Sequence, residues 1–305
     1  MKYRVVHTTK YSGDEPASVA HNEARLRPRS LPHQVCHVHD LQVSPAPSTR
    51  SNRTDYFGNA VCEFSFNQGY SELEISAVSD VSVSSRAPVT EHASPAWDTV
   101  AERLRAQVSE TDLAAFEFRF DSPRVQTFSA VADYARQSFG PGRPILDSLT
   151  DLMARLHVDF TYDPKATTVT TPVEEVFELR RGVCQDFAHL GIAAMRSMGL
   201  AARYVSGYLQ TRPPPGKPRL IGSDASHAWL SVYCGPLGWV DVDPTNNLFP
   251  DLEHITLAWG RDYGDVPPIR GVFIGGGRNR HTVSVDVAPI ESEPILFTAE
   301  TGGST

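Results

Sequence analysis

Cysteine is scarce in this chain, and its four residues (Cys36, Cys62, Cys184 and Cys234) lie too far apart to form a CxxC unit. Nothing in the spacing supports a structural zinc site or a thioredoxin-like redox pair. Cys36 and Cys62 would be able to pair in an exported protein, but buried thiols in a reducing compartment are the simpler reading. Runs of Lys or Arg are also missing. The 28 basic residues against 36 acidic ones give a net charge of −8, without the electrostatic footprint that nucleic acid or anionic lipid requires. No apolar run approaches a membrane span, and the opening "MKYRVVHTT" carries charges where a signal peptide needs an unbroken apolar core. These absences predict a cytoplasmic protein with neither a nucleic-acid nor a membrane partner. What is present, 40% hydrophobic residues over 305 positions, suffices for two domains or one elaborated domain.

The chain changes character near residue 90. Before it, short alternating or β-rich runs such as "YRVVHTT", "QVCHVHDLQV", "AVCEFSF" and "SELEISAVSDVSVS" are broken by Pro, Gly, Asn and Ser, the pattern of an antiparallel β domain over residues 1–90. "APVTEHASP" is a polar link. Helical spacing then takes over, with Trp97, Val100, Leu104 and Val108 in a first helix. Ser122 and Pro123 predict the start of a second helix through Val125, Phe128, Val131 and Phe139; Ile145, Leu149, Leu152, Met153 and Leu156 mark a third. Thr171 and Pro172 predict a fourth, stopping near Gly182, and a fifth runs from Cys184 to Gly199. Strands follow at "ARYVSGYLQ", "HAWLSVY", "GWVDVD", "HITLAW" and "HTVSVDV", with "TRPPPGKPR" as an exposed loop. Residues 91–290 therefore read as a helical connector and a core with C-terminal strands, and residues 291–305 as a frayed tail.

Cys184, in "RRGVCQDFAHL", sits where a helix begins. Free backbone N–H groups and the positive end of the helix dipole stabilise a thiolate there, although a packing role is the commoner use of such a cysteine. A nucleophile needs a base. His189 lies about 140° around the helix from Cys184, so it points elsewhere. His227 opens the strand "HAWLSVY", which "CGPLG" joins to "GWVDVD" as a hairpin. Pairing Tyr233 with Trp239 puts Ser231 opposite Asp241 and makes Asp243 the diagonal neighbour of His227, with Asp241 farther off; a slip of one residue would turn both acids away. Cys184 would then attack a carbonyl, His227 would move the proton, and Asp243 would fix the imidazole tautomer. The backbone N–H of Cys184 is an oxyanion donor in this scheme, and Tyr162 in "FTYDP" is a candidate for the second, its alternative being an ordinary core or surface aromatic.

"RRGVCQDFAHL", "ASHAWLSVY" and "GWVDVDPTNN", in that order, resemble the three motifs of the transglutaminase-like core, a branch of the papain-like cysteine enzymes. The resemblance puts the family's nucleophile on Cys184, its base on His227 and the acid of its Asp-Pro-Thr block on Asp243. "NEARLRPR", "LQVSPAP" and "DYFGNAV" are similar to the β-rich domain preceding this core in a bacterial subgroup described as cysteine proteases, and "AWGRDYGDVPPIRGVFIGGG" is similar to the subgroup's C-terminal signature. The implied fold is α+β: an N-terminal antiparallel β domain, then a papain-like core of helices packed on an antiparallel sheet. The implied activity is acyl transfer through an acyl-enzyme, with amide hydrolysis of a peptide or protein first and transfer to an amine, as in a transglutaminase, second. A non-catalytic binding module on the same fold is the alternative from another class, and an altered triad would be its mark.

No metal or cofactor is expected. His37 and His39 share a strand face as metal ligands sometimes do, but no third ligand is placed beside them. Arg261 and Asp262 either shape the substrate cleft or belong to a turn rich in Gly and Pro, which is the preferred reading. Gly275 to Gly277 lack the helix and the basic residue of a nucleotide loop, and no calcium-binding loop is recognisable.

Overall fold

The computed structural model describes residues 1–86, 93–211 and 225–290. Most of the 87–95 link, nearly all of "TRPPPGKPR" and the 291–305 tail lie outside the described residues. Five strands come first: β1 (Lys2–Ala24), β2 (Gln34–Ser44), β3 (Thr49–Thr54), β4 (Ala60–Phe66) and β5 (Tyr70–Val83). Helices follow: α1 (Trp97–Ala106), α2 (Glu110–Phe116), α3 (Ser129–Arg136) and α4 (Ile145–Asp159). Next come β6 (Thr161–Tyr162), α5 (Val173–Leu179), β7 (Arg181–Gly182) and α6 (Cys184–Ser197). The chain ends in strands β8 (Ala202–Leu209), β9 (Ala225–Tyr233), β10 (Trp239–Val242), β11 (His254–Gly260), β12 (Ile269–Gly275) and β13 (Asn279–Pro289). The protein is α+β.

Alternation explains the N-terminal sheet. In β5, Leu73, Ile75, Ala77, Ser79, Val81 and Val83 point inward and the residues between them outward, as the two-residue strand period requires. The sheet runs β2-β5-β1-β4-β3, and β1 is long enough to serve two sets of partners: Lys2 to Ser12 pair with β5, and Ala20 to Ala24 pair with β4. Strand β13 adds to the first half of β1 and β12 to the second. The chain thus returns to its first sheet, and residues 269–275, where the sequence pattern announced no strand, form one. Val272, Phe273 and Ile274 are all exposed, so β12 lacks the alternation that announces a strand, and its partner lies some 250 residues away.

The second sheet has the order β10-β9-β8-β11 and is antiparallel throughout, with α6 packed on one face. Helix α6 is buried almost all round, from Gln185 to Arg196. Arg196 in its last turn is also buried and spends its guanidinium on the carbonyls of Phe118, Val125, Ala202 and Arg261 and on the Ser122 hydroxyl, as a buried cation must. That contact helps explain why Ser122 and Pro123 start no helix. Ser122 and Val125 close a turn by backbone bonds of 2.9 and 3.1 Å, Arg124 N–H donates to Asp262, and the helix begins only at Ser129. Ser109, whose hydroxyl accepts the Asp112 N–H, caps the short α2, which apolar spacing did not announce.

Strand β11 is an edge of the second sheet, and the N-terminal domain closes it. The Gln34 side-chain amide pairs with Thr256 N–H and C=O (both 2.8 Å), and the Asn59 amide does the same to Trp259 (3.0 and 2.9 Å). Two side chains thereby replace a missing neighbouring strand. Arg29 and Arg203 sandwich the Trp259 ring at 3.5 and 3.7 Å from its centroid, one from each side of the interface. Replacing the fully buried Asn59 by Ala leaves both Trp259 backbone groups unpaired. We expect Asn59→Ala to lower stability by about 1–3 kcal/mol in chemical denaturation; an unchanged midpoint would show that the clamp contributes nothing.

Candidate active site

Cys184 begins α6 because the residues before it cannot be helical. Arg180 ends α5 in the left-handed region (φ 54°), its guanidinium stacked over Phe177 and Phe160 at 4.1 and 4.6 Å. This stops α5 two residues before Gly182. Strands β6 and β7 then pair in parallel, setting Tyr162 beside Gly182. Val183 is extended, and the buried Asp186 carboxylate, at the third helical position, accepts the Val183 N–H at 2.8 Å and the Thr167 hydroxyl at 2.6 Å. Gly182 is required here: a Cβ would lie 2.5 Å from the Asp186 carboxylate oxygen. Burial raises the Asp186 pKa, and the two hydrogen bonds work against that rise.

His227 comes from the sheet. Strands β9 and β10 pair Tyr233 with Trp239 and Ser231 with Asp241, the register expected from the hairpin loop. His227 lies opposite Gly207 of β8, where a Cβ would meet the Ile255 carbonyl at 2.3 Å and the Trp229 ring at 2.4 Å. The bare backbone at Gly207 lets the buried Trp229 lie beside His227, ring centroids 6.0 Å apart. Asp243 follows β10 and bridges to Leu248. His227 Nε2 is 2.7 Å from Asp243 Oδ2 and 3.3 Å from Asn246 Nδ2, and Cys184 neighbours the same imidazole closely enough to influence its protonation. Burial disfavours the imidazolium, but hydrogen bonds and charge from Asp243 and Cys184 prevail and raise His227 to about 10. Burial likewise opposes ionisation of Asp243, and its N–H donors overcome this and hold it well below the usual carboxylate range.

Asp243 carries more bonds than the hairpin foretold. Its Oδ1 accepts the backbone N–H of Thr245 (3.0 Å) and of Asn246 (3.2 Å). Its Oδ2 accepts from Asn246 Nδ2 (2.7 Å) and lies 3.1 Å from His254 Nε2, in addition to His227. Asn246 lies within a motif quoted above, where only the Asp carried a signal. His254 has no local signal at all, since it depends on the register of β11. Among the described residues, His227, Asp243 and His254 are the set of possible metal ligands whose donor atoms fall within 4.8 Å of one another. The Oδ2 lone pairs already face three N–H donors, so the arrangement is that of a hydrogen-bond network.

The other candidates are placed as follows. Tyr162 is half exposed beside Gly182, and burial together with the neighbouring Cys184 raises its phenol. Arg261 makes a two-pronged ion pair with Asp265 (2.9 Å each), and Asp262 accepts N–H bonds from Arg124 (3.0 Å) and Gly264 (2.7 Å), so both are engaged within the turn and its neighbours. Asp241 is held by Arg86 (2.9 Å) and the Trp229 indole N–H (3.1 Å). His189 accepts the Tyr263 N–H at 3.1 Å. His37 and His39 bond to Ser82 and Ser79.

Residues 3–82 match the bacterial transglutaminase-like N-terminal region, and residues 132–244 match the transglutaminase-like superfamily. An uncharacterised protein of Mycobacterium tuberculosis is 42% identical over 96% of this chain and 95% of its own length. A protein-glutamine gamma-glutamyltransferase of Pseudomonas aeruginosa is 28% identical over 40% of this chain and 18% of its own length. The crystal structure of a candidate cysteine protease from Cytophaga hutchinsonii superimposes with a TM-score of 0.73 at 20% identity, covering 96% of this chain and 92% of that one, a likeness of fold.

Two outcomes follow from the geometry. Cys62 and Cys234 are buried and Cys36 is half-buried, with burial raising the thiols of Cys36 and Cys234. Limiting iodoacetamide followed by peptide mapping should therefore label Cys184 first; faster labelling of any other cysteine would contradict this. His227 is raised from 6.5 unfolded to about 10 folded, so the stability it contributes is complete below pH 6.5 and disappears as pH rises through about 10. The stability advantage of the native protein over His227→Gln should shrink across that window in denaturation curves; an advantage that grew with pH would refute the pairing.

Proposed function

The chain belongs to the transglutaminase-like superfamily, and we propose that it is a thiol hydrolase that cleaves amide bonds of a peptide or protein through an acyl-enzyme on Cys184. The observation that carries this reading is the buried Asp243–His227 pair, with Cys184, the first residue of α6, beside the same imidazole. Because Nε2 faces Asp243, Nδ1 is the nitrogen left for the thiol. In the resting site the thiol proton sits on Nδ1, since His227 is raised to about 10, and the Sγ thiolate adds to the amide carbonyl carbon. The tetrahedral oxyanion is met by the Cys184 N–H, a first-turn donor of α6, and by the Tyr162 hydroxyl. The C–N bond then breaks, and the Nδ1 proton leaves with the amine. Water enters, gives a proton to Nδ1 and adds to the thioester; the acid then departs as Sγ is expelled as a thiolate beside the protonated imidazole. Asp243 holds the tautomer and steadies the imidazolium at each stage.

Transfer to an amine in place of water uses the same acyl-enzyme, and the Pseudomonas relative named as a protein-glutamine gamma-glutamyltransferase supports that second reading. The two separate by product. Incubation with a mixed peptide library and a labelled primary amine should yield new termini or free acids, absent with Cys184→Ala. Dominant labelling of glutamine side chains would replace hydrolysis by transfer. Asp243→Asn should cut turnover by roughly 10²–10⁴-fold with the fold intact. Asp241→Asn, which disturbs the Arg86 ion pair, should act on stability far more than on turnover; the reverse order would contradict the assignment.

A further inference from the structure

The geometry points to His254 as a positioning residue: from the edge strand β11 it donates Nε2–H to Asp243 Oδ2 and holds that carboxylate in line with His227. This rests on the reading of Cys184, His227 and Asp243 just given. A carboxylate on a short side chain has two freedoms to lose, displacement and rotation about its last bond. The Thr245 and Asn246 backbone N–H groups fix Oδ1 from the local turn. Oδ2 is fixed against that turn by Asn246 Nδ2, and also by His254, which belongs to a different strand.

His254 is itself held. It is buried, its ring stands edge-to-face on Trp229 at 5.2 Å, and it lies 5.9 Å from the His227 ring. Two residues along β11, Thr256 is gripped through its backbone by Gln34 of the N-terminal domain. The N-terminal sheet therefore reaches the reacting thiol through β11, His254, Asp243 and His227 in turn. A histidine present only to fill the core would need to aim neither nitrogen at a carboxylate oxygen already shared by two other donors. A carboxylate oxygen can only accept, so the bond requires the hydrogen to sit on Nε2 of His254.

The test uses iodoacetamide as the probe, because alkylation of Cys184 reads the thiol and imidazole pair without a known substrate. The titratable groups around that pair are Cys184 on α6, Asp243 after β10, His254 on β11, and the Tyr162 and Tyr204 phenols, both of which sense Cys184. His254→Phe keeps the aromatic packing and removes the donor. It should slow Cys184 alkylation at neutral pH by roughly tenfold, the scale of one hydrogen bond to a charged group, and move the pH–rate profile to higher pH. His254→Gln, whose amide reaches the same oxygen, should restore most of the rate. Equal rates and profiles in wild type and His254→Phe would overturn the proposal, as would failure of Gln to rescue a folded, slowed Phe variant. If His254→Phe does not fold, the nitrogen-15 histidine spectrum of the wild-type protein decides: the proposal requires an Nε2–H resonance on His254, downfield and protected from exchange, and an Nδ1–H tautomer would overturn it. Wild-type Cys184 that labels no faster than the other thiols would sink the functional reading itself, an outcome distinct from these.

Discussion

A single buried carboxylate oxygen, Asp243 Oδ2, is the point on which the site depends. A buried charge is tolerated only when its hydrogen-bonding capacity is filled, and Asp243, fully shielded from solvent, meets that demand with three side chains and two backbone N–H groups. The donors come from β9, from the turn after β10 and from β11, so three separate segments must be in register before the charge is satisfied. Removing any one donor leaves a buried anion underpaired, which penalises misfolded arrangements of the sheet as well as misaligned imidazoles.

Cys184 is positioned independently, by helix rather than sheet. Asp186 terminates the extended segment and Gly182 makes room for it, while Arg180 blocks continuation of α5. The burial of α6 against β9 then brings its first residue to the imidazole. Close packing of helix on sheet thus becomes a chemical constraint, since a shift of α6 would part the thiol from His227. The same helix is anchored at its other end by Arg196, whose bonds to four carbonyls and a hydroxyl tie it to the segments around residues 118–125, 202 and 261.

Where chemistry and local geometry coincide, the sequence was readable. Cys184 has its helix start marked by Gly182 and the Val183 to Asp186 stretch, and His227 and Asp243 share a hairpin whose short "CGPLG" loop restricts the register. His254 was invisible because a strand's residues carry no mark of which side chain meets another 11 positions away across a sheet. Strand β12 was hidden by its exposed apolar run and its distant partner. Ser122 and Pro123 looked like a helix start because that dipeptide suits one, yet the buried Arg196 guanidinium and the Asp262 carboxylate bind the segment in another conformation. In each case a tertiary partner overrode a sound local preference.

The central claim is that Cys184 forms an acyl-enzyme with the help of His227. Acid-quenched mass spectrometry of the protein after brief exposure to p-nitrophenyl acetate, with peptide mapping, tests it most directly. The account predicts an acetyl group on the peptide carrying Cys184, lost with Cys184→Ala and formed far more slowly with His227→Gln. Acetylation confined to other residues, or unchanged in rate without His227, would contradict it.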